Sequence, residues 1–453
     1  MSEPQAPAAI RWVRDVHGRN YRVGETDRDL LGHHRSWVMA AAWLAMLAVS
    51  ATQYGYGVLV PTLVRTDGWG MRAAFWGLAI WVCCHAAALV GLMWLRGRAR
   101  FASARVVAIG AVMCALGLVT LAHSGGGVVM LLGYGVVGGT GAGLVYGACL
   151  ASVASWYPDR PARVGLASGA FAYGAIPFII VAGFATDLTR PLDLTAIGLL
   201  VVIAGCATVL RDAPPHWWPA HLDPRQWAVD KSLNPALRSN RPANRRYSPA
   251  QLLRCSATRL MYLLVICASA VALFDTGYLA VFAVNSGWGL PWAAGIVAAF
   301  AAGSGTVRGV AVRVSQRTGA RALAQLALYV CAASQLVLLG AGEHQLLAVF
   351  LVAACVAGMS GGVGYALLPG LVDTHFGESP GLPNFAVVYS AKAIGGVVGI
   401  GLAGLIVIPN AYPVGLALAC ALCLVGAVAG RLLRRPGLPA LPLPGGVPVR
   451  TAR

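Results

Sequence analysis

The residues best suited to chemistry in this sequence are three charges inside apolar runs: Asp275, Arg308 and Lys392. An uncompensated charge at the centre of a membrane helix costs at least about 2.5 to 3.5 kcal/mol on insertion scales, so such a side chain normally faces a cavity or a partner. The lysine is the more telling, because of 34 basic residues only Lys231 and Lys392 are not arginine. At 1.5 Å per residue from the predicted helix ends, Lys392 lies about 13 Å and Arg308 about 8 to 10 Å inside, so the two can share one depth. Two cations facing one cavity repel each other unless an anion neutralises them. That is a physical basis for binding a carboxylate, with Arg308 as a bidentate clamp and Lys392 as a point charge. The competing reading has Arg308 snorkelling to the interface and Lys392 paired structurally with Asp275. Asp275, about 24 Å along its helix, is a candidate proton-coupling group or gate partner above the site. His85, alone in its run, reads as a hydrogen-bonded packing residue.

Aromatic hydroxyls can complete such a site, since they hydrogen-bond carboxylate oxygens while the rings exclude water. Tyr54 and Tyr56 accompany Gln53 in one run, and Tyr146, Tyr173, Tyr365 and Tyr389 lie in four others. Tyr389 stands one turn before Lys392 and shares its helical face. Each of these is equally compatible with ordinary helix packing.

The elements that must position these residues are membrane helices. A soluble domain is roughly 45 to 50% apolar and about 25% charged, whereas this chain of 453 residues is 58% hydrophobic and 11% charged. Apolar runs of about 20 residues, enough to cross roughly 30 Å of hydrocarbon, fall near 37–60, 72–95, 104–123, 128–154, 162–185 and 192–210. A second six fall near 259–284, 290–313, 321–341, 344–370, 383–408 and 412–433, the eighth interrupted by Arg308. The expected fold is an all-α membrane protein with twelve transmembrane helices in two pseudo-symmetric six-helix bundles, 37–210 and 259–435. A weak internal likeness supports the division: Gly143-Leu-Val-Tyr146 in the fourth helix parallels Gly362-Val-Gly-Tyr365 in the tenth, followed by Trp156 or Phe376. Parallel six-helix repeats are a transporter architecture.

Charge sets the expected topology. The net charge of +18 sits at the ends of apolar runs, not on one soluble face, which speaks against nucleic acid as a partner. Arg96, Arg98, Arg100 and Arg105 follow the second run, Arg313, Arg317 and Arg321 the eighth, and the segment 211–258 is strongly basic. By the positive-inside rule both termini and these loops are cytoplasmic in a multi-pass protein of the cell membrane. The loop with Asp373 and Glu378 does not support the rule. Residues 1–36 are polar and lack an apolar h-region, so the first span itself is expected to direct insertion. The segment 211–258, rich in Pro, Arg, Asn and Trp, is expected to be a linker that buries no core, with a short interfacial helix from Pro249 to Leu253. The cytoplasmic tail 436–453 is Pro-rich, and its stretch from Pro436 to Pro448 is expected to be disordered.

Enzymatic motifs are scarce. Gly138-Gly-Thr-Gly-Ala-Gly143 lies within an apolar span with no preceding strand and no Lys-Ser/Thr ending, so helix packing explains it better than phosphate binding. Most of the eleven cysteines lie inside apolar runs without metal-ligand spacing. Neither a cofactor nor a metal ion is expected.

Four stretches carry a family likeness: Ser50-Ala-Thr-Gln-Tyr-Gly-Tyr56; Gly143-Leu-Val-Tyr-Gly147 with Trp156-Tyr-Pro-Asp159; Asp373-Thr-His-Phe-Gly377; and Asn384-Phe-Ala-Val-Val-Tyr-Ser-Ala-Lys392. With Pro214-Pro-His-Trp-Trp-Pro219, the chain from about 37 to 433 resembles the oxalate/formate antiporter family of the major facilitator superfamily, related to the monocarboxylate transporters. The resemblance implies that Lys392 and Arg308 bind substrate carboxylates, that Gln53 and Tyr54 are the first-helix pair, and that Tyr146, Tyr173 and Tyr365 are cavity aromatics. Arg308 is matched through its place before Ser315-Gln-Arg-Thr-Gly319, which is similar to the superfamily's Ser-Asp-Arg-x-Gly loop. Gln316 replaces the loop acid, and Arg96-Gly-Arg-Ala-Arg100 has lost most of the first-half motif, which puts inner-gate charge pairing in question. Gly361 replaces a bulky aromatic, which implies a roomier cavity than one shaped for oxalate. The expected function is secondary transport of a small mono- or dicarboxylate by alternating access in a lipid-embedded monomer, with protons or a counter-anion as coupling partner. Proton-coupled drug or metabolite efflux, and a non-transporting receptor or scaffold, are the competing readings.

Overall fold

In hydrocarbon every backbone N–H and C=O must be satisfied within the chain, which an apolar run achieves by forming a helix. A computed structural model describes residues 10–66, 68–96, 102–124, 127–240, 243, 245–377, 382–407 and 412–436. Arg98, Arg100, Glu378 and the Pro-rich tail from 437 onward lie outside the described residues. Twelve helices among the described residues are long and apolar enough to span a membrane. Spans 1 to 6 are Ser36–Arg65, Met71–Arg96, Ser103–His123, Gly127–Trp156, Ala162–Phe184 and Thr189–Val209. Spans 7 to 12 are Ser256–Asn285, Leu290–Thr318, Ala320–Glu343, Leu347–Phe376, Pro383–Val407 and Tyr412–Leu432. Spans 1, 8 and 10 outrun the apolar signal by about a turn and a half at one end, because a helix continues into polar sequence after leaving the apolar layer.

The spans form two six-helix bundles that meet mainly through spans 5 and 8, spans 2 and 11, and spans 1 and 7. Small residues make the close approaches possible, as expected where lipid removes the usual hydrophobic drive. A Cβ on Gly143 would stand 2.3 Å from the His85 carbonyl oxygen, and one on Gly169 2.5 Å from that of Gly305. The glycine run of span 4 is therefore a packing face.

Three spans are interrupted where the candidate site lies. Span 1 breaks at Gly55, just after Gln53 and Tyr54; span 5 breaks after Tyr173; span 11 breaks at Ser390, between Tyr389 and Lys392. Spans 4 and 11 also contain π-helical stretches, Leu131–Gly138 and Val397–Leu402. Such irregularities collect at functional positions. Carbonyls beside the span 5 break accept from Ser50: its Oγ donates to the oxygens of Phe171 (2.9 Å) and Ala172 (3.1 Å).

One departure from the all-helical expectation is a two-stranded antiparallel sheet, β1 (Arg11–Arg14) and β2 (Asn20–Val23). Asp15 closes its turn, its carboxylate accepting from the backbone of His17 and Arg19 and from Arg19 Nε at 2.6 Å. The hairpin docks on the inter-bundle segment: Arg22 N donates to His216 O (2.8 Å), and Trp218 N donates to Arg22 O (3.0 Å). The expectation that 211–258 buries no core is thereby corrected. Trp217 and Trp218 are buried, Trp217 against Trp156 and Trp218 against Tyr21, each with ring centroids 4.9 Å apart. Their apolar partners come from the hairpin and a span end, which the segment's own composition does not reveal. Pro249–Leu253 is a helix with a Ser248 capping box.

The same end holds a buried ion pair that the degenerate loop motifs do not foretell. Arg35 grips Asp159 bidentately at 2.8 and 3.0 Å and donates to the Trp156 carbonyl at 2.7 Å. Arg96 pairs with Asp212.

Candidate functional site

Arg308 is 2% exposed because span 8 presses Gly305 and Arg308 against the start of span 5. Its Nη1 donates to the Ser168 carbonyl at 2.8 Å, and its Nη2 to the Tyr54 hydroxyl at 2.8 Å and Ser304 Oγ at 3.3 Å. It does not snorkel. Lys392, equally buried, donates through Nζ to Gln53 Oε1 at 3.0 Å and to the Tyr389 hydroxyl at 3.2 Å. The structural pairing of Lys392 with Asp275 is absent. Asp275 instead accepts from Gln335 Nε2 at 2.9 Å, on span 9 inside the second bundle.

Tyr365 joins the two cations. Its ring centroid is 5.2 Å from the Arg308 guanidinium carbon and 5.6 Å from Lys392 Nζ. The charges are therefore at most about 11 Å apart, and at an effective dielectric of about 20 they repel by at least about 1.5 kcal/mol. Among the described residues neither cation forms an ion pair with a carboxylate. The surrounding rings form one stack of contacts: Tyr146 lies 5.8 Å from Tyr389 and 5.1 Å from Phe171, and Lys392 Nζ is 5.9 Å from the Phe171 centroid.

The site is rich in donors. Arg308 Nε and the Tyr365 hydroxyl are buried without a hydrogen-bond partner, as is His85 Nδ1, which donates or accepts according to the tautomer. Buried polar groups are normally paired, and each orphan costs about 1 to 3 kcal/mol. A ligand that neutralises this arrangement must accept hydrogen bonds and carry negative charge.

Seven of the sequence-derived candidates thus come together: Arg308, Lys392, Gln53, Tyr54, Tyr146, Tyr365 and Tyr389. Two do not. Asp275 faces span 9, and Tyr173 turns outward, its hydroxyl accepting from Trp43 Nε1 at 2.6 Å. The sequence reading favours a hydrogen-bonded packing role for His85 over a proton carrier and does not place it at the site, yet its Nε2 lies 3.2 Å from the Tyr389 hydroxyl and its ring stacks on Trp81. A lone histidine in an apolar span is the signal that could have placed it here. Gly361 does not open space as expected, since a Cβ there would meet that of Ala272 at 3.0 Å.

Residues 42–383 match the family model of the Major Facilitator Superfamily. The chain belongs to the major facilitator superfamily. It is 26% identical over 376 residues to an uncharacterised 38 kDa protein encoded in the 23S RNA operon of Thermoproteus tenax, a match covering 81% of this chain and 87% of the relative. A crystal structure of a variant of the E. coli fucose:proton symporter is similar in fold. It has a TM-score of 0.58 and 14% identity, with 88% of this chain and 98% of that one covered. In this member of the superfamily the cation pair lies where the two bundles meet, and apart from Tyr365 on span 10 each site side chain it touches belongs to a span named at that junction.

Proposed function

We propose that this protein is a secondary transporter of small organic anions that works by alternating access, with Arg308 and Lys392 binding the substrate carboxylate. One observation carries the reading: two buried cations share the Tyr365 ring with no acidic partner among the described residues, amid orphaned donors. A dicarboxylate fits best, because Asp275 is engaged with Gln335 and does not lower the site's charge; a monocarboxylate leaves one cation uncompensated. Membership of the oxalate/formate antiporter branch is consistent with the Lys392 motif. The basic loops favour cytoplasmic termini in the cell membrane. Efflux coupled through a cavity acid is the weaker reading, since the candidate acid faces away from the cations. Asp275 remains the candidate coupling group should protons drive transport, as in the fucose:proton symporter of similar fold.

The test is uptake of labelled mono- and dicarboxylates into proteoliposomes by counterflow. Wild type should exchange at least one dicarboxylate, and Lys392→Gln should abolish it. Undiminished uptake by the variant would defeat the anion-site proposal.

A further inference from the structure

A second concavity lies away from the cation pair, between the ends of spans 1 and 5 nearest the inter-bundle segment. Its volume is about 520 Å³, within the roughly 300 to 1,000 Å³ of small-molecule sites. One end is basic: Arg160 and Arg163 line it together with Arg35, beside the imidazoles of His221 and of His34, the latter 3.5 Å from the Asp27 carboxylate. Arg35 is already neutralised by Asp159. Arg160 only touches that carboxylate, at 3.3 Å with its side chain 56% exposed, and Arg163 lies over the Tyr157 ring at 5.8 Å. The other end is apolar and aromatic, formed by Met39, Ala40, Trp43, Leu166 and Tyr173.

This apolar end opens sideways. Span 1 exposes Trp37 (62%), Ala40 and Leu44 and span 5 exposes Leu166 (38%), so apolar side chains of both helices that border the concavity are open to the surroundings of the protein. On its other face span 5 gives Gly165 and Gly169 to span 8. A cationic head beside an aromatic neck at the end of two membrane helices, continuing into lipid-exposed apolar surface, matches the layered chemistry of a phospholipid.

We propose that this concavity binds an anionic phospholipid of the surrounding bilayer. Arg160 and Arg163 hold its phosphate, and one acyl chain lies along Ala40, Trp43 and Leu166. The outward turn of Tyr173 has a role here, as the aromatic wall at the neck of the lipid site.

The test uses the full chain purified in detergent and titrated with phosphatidylglycerol or phosphatidylcholine of the same acyl chains, with bound lipid counted by native mass spectrometry. Wild type should retain phosphatidylglycerol in preference. A basic residue near an anionic headgroup contributes about five-fold, so the double variant Arg160→Ala/Arg163→Ala should weaken that binding about 25-fold. Leu166→Trp, which keeps every charge and fills the apolar end, should also lose the lipid; it decides the matter should the double variant fail to fold. Arg254→Ala/Arg259→Ala, which removes two charges elsewhere, should bind as wild type. Equal retention by the double variant, or equal loss in the Arg254/Arg259 control, overturns the proposal. So does displacement of the lipid by millimolar glycerol phosphate, which would mark a site for a soluble anion.

Discussion

Replacing Lys392 by glutamine should act on stability and on anion binding with opposite signs. Without substrate, Lys392 repels Arg308 across the Tyr365 ring by at least about 1.5 kcal/mol, and its own burial adds a desolvation cost. Glutamine keeps a donor for Gln53 Oε1, which now accepts from Lys392 Nζ at 3.0 Å, so little is lost when the charge is removed. The substrate-free variant should gain about 1 to 2 kcal/mol, a rise in Tm on the order of 1 to 2 °C. With a bound carboxylate the sign reverses. Truncating one partner of a buried charge pair costs about 2 to 5 kcal/mol, so anion affinity should fall about 30-fold or more. The assay is thermal unfolding of purified protein, followed by tryptophan fluorescence, across a dicarboxylate titration. At 100 times Kd the anion should stabilise wild type by about 2.7 kcal/mol, and at that concentration the variant far less. A variant that melts several degrees below wild type and is still protected equally by the anion would refute the reasoning, because it would make Lys392 a structural cation already satisfied by the fold.

Arg308→Lys preserves charge but loses the fork that reaches both the Ser168 carbonyl and the Tyr54 hydroxyl; exchange should fall at least about ten-fold in the proteoliposome assay. Tyr173→Phe should leave anion affinity within about two-fold of wild type, while lowering stability by about 1 kcal/mol through loss of the partly buried hydrogen bond to Trp43; isothermal titration and a melt read the two separately. Burial raises the Asp15 carboxyl pKa, but hydrogen bonds and charge from Arg19 outweigh it, so the group is held below the ordinary carboxylate value. Its contribution to the docked hairpin should be complete above about pH 4 and lost as pH falls through the lowered pKa. Hydrogen exchange of residues 11–23 should show that loss in wild type, and in Asp15→Asn early exchange without the acid transition.

Span positions were legible because a bilayer imposes a length and a polarity that composition reports directly. Arg308 and Lys392 were legible for the related reason that a charge in that layer requires an explanation. Tyrosine carries no such cost, so Tyr173 read as a cavity residue although its hydroxyl serves Trp43. The break in span 5 after Tyr173 also spoils any inference from helical phase. The hairpin was beyond reach for another reason: strands of four residues give no usable period, and their partners, His216 to Trp218, lie far away in sequence.

The two cations also suggest how occupancy could be coupled to movement. Both belong to the second bundle, and the strongest contacts of each cross to the first: Arg308 to Ser168 and Tyr54, Lys392 to Gln53. The first bundle answers with neutral acceptors and rings, among them Tyr146, whose counterpart in the sequence repeat, Tyr365, lies between the charges. Both cations and their partners Gln53, Tyr54 and Ser168 are buried, while Tyr365 between them is half-buried, so the bundles are closed at the cation pair, which bridges them while the two charges repel each other. Under the proposed function an anion removes that repulsion and gives the orphaned donors an acceptor, stabilising the closed state more than an open one in which water solvates both charges. Only such differential binding can shift a conformational equilibrium. Placing the charge on one bundle and its acceptors on the other makes the substrate part of the contact that must form and break in each cycle.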